Sequence, residues 1–467
     1  MSTIKKVVES GYCVGCGACA YATKSKMTIN KYGEYEPEII KKGLESFNAD
    51  SNVEKVCPFL SPDLNENVLA EEFLDGKDNF SSKIGFYNNV LAGHVNESEF
   101  RKNGTSGGTG TWIGAELLKL GYIDGVIHVK KNKRLAFGDP FYKYAISNTL
   151  KEIQDGAKTK YHVVEVSEVL ELVKDRPGKY LFIGVPCLVK AIRRIQLVDP
   201  VIKESLPFLV SLVCGHFKSI NWTLSLGWAK GIHPKDLSEF QYRTKGDNIP
   251  ARKYVFRAQN EKETIQEDSS KVTGGKFNQG ALMLSACNFC DDVVGETADL
   301  TIGDAWLPQF EADDNGTNLL IVRNKILQNI FEVARSEGRM TLVDITEKDA
   351  IDSQSGGFRQ RREGLSYRLS KKQSKGEWYP EKRIQPNQFS VSMLRKMIYT
   401  NRAEVSDLTR ASFLEAIESD NYNIYKNTVD TKIKKLMKLE LSSIFFKALN
   451  NKISRKIQKY RRKASNV

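Results

Sequence analysis

Eight cysteines fall into two groups of four, and that division constrains this chain more than any other feature. Four lie within the first 57 residues, as Cys13-x2-Cys16-x2-Cys19 and then Cys57-Pro58. The other four lie in the body, as Cys187, Cys214 and the pair Cys287-x2-Cys290. Three thiolates at this spacing wrap one face of a cubane iron–sulfur cluster. The small residues between them (Gly15, Gly17, Ala18) let backbone N–H groups turn toward the sulfurs. The ferredoxin run of this kind carries a near Cys-Pro that serves a second cluster. Here Cys19 is followed by Ala-Tyr-Ala-Thr, so the distant Cys57 is expected to close the same, single 4Fe-4S cluster. A structural zinc site would show paired CxxC knuckles or histidine ligands instead.

The second group carries a weaker signal. Cys287-Asn-Phe-Cys290 has no histidine nearby and alone suits zinc, a redox dithiol or coincidence. Cys187 and Cys214 each end an apolar run, KYLFIGVPC and LPFLVSLVC. Strand ends converge on one edge of an α/β sheet, where these thiols can meet the CxxC pair. Taken singly, each is equally a small buried core residue.

The composition, 40% hydrophobic and 10% aromatic, is that of a globular chain, and 467 residues allow two to four domains. MTINKYGEYEPEI predicts a hairpin around Lys31-Tyr32-Gly33, and residues 61–83 read as a polar linker. From Ile84 strands and helices alternate: NNVLAGHV, the turn Gly104–Gly108, the helix TGTWIGAELLKLGYI, the strand DGVIHVK, helices at 147–156 and 166–175, then the two Cys-ending strands. Residues 235–285 look irregular and β-rich, ADLTIGDAWL is a strand and turn, and 324–337, 390–418 and the last 36 residues are helical. The expected class is α/β, α+β overall, with a sheet at least partly parallel.

The formal charge is +13, but Lys432 to Lys463 contain twelve basic residues against one acid, which leaves about +2 for everything before them. That distribution argues against nucleic acid as a partner. In the tail Leu441, Ile444, Phe445, Ala448, Leu449, Ile453, Ile457 and Tyr460 recur at helical spacing. The pattern suits a helix lying on an anionic membrane, or one docked on its own domain or a partner. MSTIKKVVES lacks the apolar core of a secretory leader, and no run of 18 apolar residues occurs. The expectation is a cytoplasmic protein, peripheral to the inner face of the membrane if the tail binds there. Its thiols would be reduced and free to ligate metal.

GTSGG with its helix, LGYIDGVIHV, KTKYHVV, YLFIGVPCLVKAIRR, LVCGHFKS and CNFCDDVVGETADLTIGDAW occur in this order. The set resembles the coenzyme F420 hydrogenase/dehydrogenase beta-subunit family, which includes a plant hydroxymethyl-chlorophyll reductase. It covers about residues 84–310, behind a ferredoxin-like front end. GGFRQRREGLSYRL resembles a bacterial subgroup often associated with polysaccharide-synthesis genes. The resemblance implies an FAD-containing iron–sulfur oxidoreductase. By position, Thr105, Ser106, Gly107 and Gly108 match the family's flavin turn, Lys160-Tyr161 its Ser-Lys-Tyr stretch with Thr159 for Ser, and Gly303-Asp304 its Gly-Asp turn. Cys187, Cys214, Cys287 and Cys290 match thiols that hold a second 4Fe-4S cluster beside the flavin. The chain departs from the family's Cys-His-Gly, having Cys214-Gly215-His216, and no residue marks a site for F420 itself. Read physically, two glycines at a helix N-terminus let the backbone approach a pyrophosphate; an ordinary helix cap is the alternative.

The implied domains are a ferredoxin-like 1–80, a flavin and iron–sulfur domain at 81–375, a helical extension at 376–430 and the basic amphipathic tail at 431–467. Of five histidines, His162 and His216 rank first for proton transfer. Lys158 and Lys160 suit a flavin phosphate or a substrate anion. Arg359, Arg361, Arg362 and Arg368 either bind an anionic substrate or seal a domain contact. The resulting reading is a reductase that takes electrons from a soluble donor such as ferredoxin. They pass through two clusters and FAD to a small organic substrate, in sugar or polysaccharide metabolism, or in reverse. The alternatives are a relay subunit serving a partner enzyme, an F420 oxidoreductase, and a zinc-stapled binding protein.

Overall fold

The computed structural model describes residues 3–42, 52–134, 136–245 and 253–464, with the side chains of 3, 40, 41 and everything from 446 onward outside the description. At the N-terminal end β1 (Met27–Ile29) and β2 (Tyr35–Pro37) form an antiparallel hairpin that turns through Gly33 at φ 69°. This is the hairpin the alternation around Lys31-Tyr32-Gly33 predicts. A second small hairpin joins β3 (Asn79–Ser81) to β4 (Gly85–Tyr87).

The body is built on β5 (Asn89–Val95), β6 (Gly125–Lys131), β7 (Tyr142–Ser147), β8 (Tyr180–Gly184) and β9 (Phe208–Leu212). A separate antiparallel sheet of β10 (Glu239–Gln241), β11 (Val255–Gln259) and β12 (Thr264–Asp268) intervenes before β13 (Leu300–Asp304), β14 (Asn318–Val322) and β15 (Met340–Asp344). Eight strands form one mixed sheet in the order β15-β5-β14-β13-β9-β8-β6-β7. Strands β6, β8, β9 and β13 are mutually parallel, and two antiparallel steps through β14 give β5 the same direction. Five carboxyl ends therefore open on one edge of the sheet.

Strands β8 and β9 are nearly continuous apolar runs because both sheet faces are covered. Leu181 and Val210 pack with Trp112, Ile113 and Leu117 of helix Thr109–Lys119. Their neighbours Phe182 and Leu209 point the other way, onto Leu188, Val189 and Ile192 of helix Pro186–Gln196. Truncating Phe182 to Ala would cost about 3–5 kcal/mol.

Residues 61–83 are not a linker. Asn65 caps helix Glu66–Phe73, its Oδ1 accepting from Asn67 N and Val68 N at 3.0 and 3.3 Å. The buried Glu66 pairs with Lys190 at 2.8 Å and Arg383 at 3.0 Å. Its acidic composition reads as solvated because both partners are distant in sequence. Tyr12, Val14, Cys16 and Ala18 share one apolar cluster with Val163, Leu188 and Val189, so the N-terminal segment and the body have a common core.

Three strands escape the sequence reading. Strand β7 ends at Ser147, where the sequence predicts a helix to begin, while β14 and β15 are five-residue segments whose apolar content does not separate strand from helix. At the C-terminal end, helices Met393–Glu418 and Tyr422–Ala464 pack antiparallel, held by Arg402–Glu440 at 2.6 Å and Lys432–Glu404 at 2.9 Å. The side chains of Ala448, Leu449, Ile453, Ile457 and Tyr460, expected to line an apolar stripe, lie outside the described residues.

Candidate functional site

Cys13, Cys16 and Cys19 occupy a tight loop running into the short helix Ala18–Thr23. Gly15 and Gly17 sit at φ 67° and 87°, and Gly15 N donates to Cys13 Sγ at 3.3 Å, as the small residues predict. A second constraint was not legible: a Cβ on Gly17 would lie 2.9 Å from Ser167 N and 3.0 Å from Val166 N. The loop is seated there, with Val166 N donating to Cys16 O at 2.9 Å. Cys57 joins this set, since Cys16 and Cys19 both feel it electrostatically. Burial pushes the Cys13 thiol up to about 12, with Cys57, Glu34 and Glu36 adding to the rise.

The second set assembles from separate segments. Cys187 is the second residue of helix Pro186–Gln196, just past β8. Cys214 follows β9 and donates its N–H to Val293 O at 3.0 Å. Cys287, in the turn Ser285–Phe289, accepts at Sγ from Phe217 N at 3.2 Å, and Cys290 Sγ donates to Asp292 O at 3.4 Å. Cys187 is buried among Cys214, Cys290 and Cys287, and it also feels Cys16. The structure thus gathers both fours and sets them side by side. Among the described residues no three Cys, His, Asp or Glu groups close around a single metal ion. Four thiolates are the number of ligands a 4Fe-4S cluster takes.

Arg361 completes this second site. Arg361 is 3% exposed, its Nε donates to Asp292 O at 2.9 Å, the carbonyl that Cys290 Sγ also reaches, and its charge acts on the thiols of Cys290 and Cys214. Burial pushes Cys214 and Cys287 up to about 12 while Arg361 pulls both back. The arginine quartet therefore divides. Arg362 pairs with Glu296 at 3.2 Å, Arg368 Nε donates to Asn288 O at 2.7 Å, and Arg359 is exposed. Arg362 and Arg368 hold the helical segments onto the body, whereas Arg361 reaches the thiols.

The flavin-turn residues lie at the same carboxyl edge. Thr105 and Thr159 hydroxyls meet at 2.9 Å, which brings the GTSGG turn against Lys160-Tyr161. Ser106 Oγ donates to Thr317 O at 3.3 Å, and Asn318 Nδ2 donates to Gly303 O at 3.1 Å. Asp304, ending β13, pairs with Arg243 at 3.2 Å. The two glycines serve the protein's own packing: a Cβ on Gly107 would lie 2.8 Å from Gly93 O, and one on Gly108 2.7 Å from Arg101 N. Asn318 Oδ1 already accepts from Thr109 N at 3.3 Å. Chain contacts by themselves therefore require glycine at both positions.

What fits an anion here is a crowd of cations. Lys160 is brought down to about 7 by burial, then by Lys158 and Lys130. Lys245, donating to Arg101 O at 2.6 Å, is brought down to about 8 by burial, then by Arg101 and Arg243. Neither lysine has a carboxylate partner among the described ion pairs. These neighbours, Arg243 and Lys245, carried no motif signal in the sequence.

The two histidines differ. His162 has both ring nitrogens on the backbone, with Nδ1 2.6 Å from Val163 O and Nε2 accepting from Phe141 N at 3.4 Å. Burial brings it down to about 4. His216 stacks on Phe277 at 4.1 Å, its Nε2 without a partner among the described residues. Phe277 contacts Tyr161 at 4.7 Å, so an aromatic bridge joins the second thiol set to the flavin turn.

A mixed sheet with Cys187 and Cys214 just past two parallel strands, beside a cationic turn, frames the site. Residues 90–171 match the N-terminal part, and 178–348 the C-terminal part, of the coenzyme F420 hydrogenase/dehydrogenase beta subunit. The matches together span more than half of the chain, which belongs to that oxidoreductase family. An uncharacterized protein of Methanocaldococcus jannaschii is 21% identical over 371 residues, 74% of this chain and 93% of the relative. A chain of the F420-reducing [NiFe] hydrogenase complex from Methanosarcina barkeri superposes with a TM-score of 0.48 at 18% identity, covering 63% of this chain and 96% of that one.

Proposed function

We propose that this chain is an iron–sulfur flavoprotein that carries electrons from a soluble one-electron donor such as ferredoxin to a small organic acceptor, with sugar or polysaccharide metabolism as its setting. The observation behind this reading is the adjacency of two gathered thiol sets and the aromatic bridge leading from the second to the flavin turn. When bound, clusters carry single electrons and FAD converts them into a hydride. Cys13, Cys16, Cys19 and Cys57 would hold the outer 4Fe-4S cluster, and Cys187, Cys214, Cys287 and Cys290 the inner one. Lys158, Lys160 and Lys245 would neutralise the flavin's phosphates, and Thr105 and Ser106 would orient them. Tyr161, Phe277 and His216 would keep water out of the gap. His162 then keeps a place in the core, with no free nitrogen for a substrate proton. F420 replaces the sugar-type acceptor in the alternative suggested by the family.

Iron, sulfide and flavin measured on anaerobically purified protein test the reading. Two clusters and one FAD are expected per chain, and a colourless protein would overturn it. A relay subunit is the second reading. It is favoured by an exposed aromatic patch in which Phe80, 53% exposed, contacts Phe86 at 5.0 Å beside Val68. Reduction of an acceptor by the chain alone decides between the two.

A further inference from the structure

We propose that Arg361 holds the inner four-cysteine centre at a higher reduction potential than the outer one, so that electrons run inward from the Cys16 side to the Cys187 side. This rests on the reading above that both sets hold clusters. Potentials of such clusters follow net charge, hydrogen bonds to the sulfurs and solvent exposure. Arg361 bears on the charge and the exposure. It is buried, it shares the Asp292 carbonyl with Cys290, its Nε donating there at 2.9 Å and the Cys290 thiol at 3.4 Å, and its charge acts on Cys290, Cys214 and Cys287. Among the described residues no carboxylate forms an ion pair with it, so thiolates must supply the counter-charge. Lys218 also lies near Cys287, its Nζ donating to Ala281 O at 2.6 Å between the rings of Trp222 and Phe277. Asp292 is the acid that opposes them at Cys214.

The outer set is balanced differently. Glu34 and Glu36 face Cys13, Glu165 faces Cys16, and Arg194 and Lys382 face Cys57. Charges of both signs meet the outer set, while at the inner set the buried Arg361 guanidinium acts on three of the four thiols and favours the reduced form of the centre. In each transfer one electron leaves the outer cluster and enters the inner one, with no bond or proton change. The reductant is the external one-electron donor.

The test is an anaerobic redox titration of the full chain followed by electron paramagnetic resonance, on the natural sequence, R361Q and R361K. The C16S chain, retaining only the inner set, assigns the signals. R361Q is expected to shift the inner signal to lower potential and leave the outer one in place; R361K restores most of the shift. An inner signal unmoved in R361Q at intact iron content overturns the proposal. If R361Q does not fold, R361K carries the test alone: a smaller shift to lower potential is expected, and an unmoved signal counts against the proposal. Absence of any cluster signal from the natural chain would instead sink the underlying reading.

A different observation carries a second inference. In helix Tyr422–Ala464, Leu441, Ile444 and Phe445 are 63–65% exposed, with Met437 on the same face. Met393 and Met397, on the antiparallel partner helix, are exposed near the same end, which the Arg402–Glu440 pair locates. The helix carries twelve basic residues against one acid between Lys432 and Lys463. We infer that this end docks on an anionic lipid surface, apolar side chains entering the headgroup layer and basic ones meeting lipid charge. No helix among the described residues is long and apolar enough to cross a membrane. The full chain is expected to float with vesicles of phosphatidylglycerol and phosphatidylcholine, to ignore phosphatidylcholine alone and to be released by salt. The double variant L441D/F445D is expected to lose flotation while keeping its iron. Flotation indifferent to lipid charge overturns the inference, as does self-association abolished by that same variant, which would assign the face to a second copy.

Discussion

The two thiol sets are built by opposite routes. Three cysteines of the outer set lie within seven residues, and their geometry follows from a local loop with glycines at positive φ. The inner set draws on Cys187, Cys214 and Cys287-x2-Cys290, spread over more than one hundred residues and brought together because β8 and β9 are parallel neighbours. A local loop must be stabilised from outside, here by the floor of Val166 and Ser167. A sheet edge exists whether or not its ligands are present. The comparison predicts unequal consequences of losing a ligand.

The largest effect separates them directly. Either C16S or C187S should remove about half of the iron. Only C16S should also loosen residues 1–60 toward limited proteolysis, because on the proposed reading a cluster would cross-link the outer loop. Equal protease sensitivity in the two variants would break the distinction. The seating of the loop comes next. Gly17→Val places a β-branched residue at φ 87° against Ser167 N and should cost about 1–3 kcal/mol in a denaturant titration. No measurable loss would mean that the loop is not pressed on the body.

An effect of similar size tests the body alone. His162 is neutral in the fold, lowered to about 4, and titrates near 6.5 when unfolded. The unfolded chain therefore binds the extra proton between these values. Stability from this group is complete above pH 6.5, falls as the pH drops and levels off below about 4, for a total of roughly 3 kcal/mol. H162Q should flatten that slope in denaturant midpoints measured across the window, whereas an unchanged slope would place the titration elsewhere. The smallest effect concerns the segment joining the two regions. Asn65→Ala removes a helix cap and should cost about 1 kcal/mol with both clusters retained. Loss of iron from that variant would show that the segment positions Cys57.

Legibility followed range. The hairpin at Gly33, the Cys-ending strands and helix Ser167–Asp175 depend on residues close in sequence, and each is present. Glu66 misled because its charge is met by Lys190 and Arg383, distant partners that no local pattern announces. Gly107 and Gly108 carry a second constraint that no local pattern announces: they clear the backbone of Gly93 and Arg101. Arg361 was visible as one of four arginines, yet nothing in GGFRQRREGLSYRL distinguishes it from Arg359, which is exposed.

By itself the amino-acid sequence determined the family, the alternation of strands and helices, and an outer thiol set whose spacing matches one face of a cluster. Those are properties of short windows, where backbone geometry ties spacing to position. Tertiary structure alone decided that the second four thiols converge, that Cys187 stands beside Cys16, and that one arginine is buried against them. Such placements depend on which strands pair and which faces pack, so the charge around a buried site is set by residues hundreds of positions away.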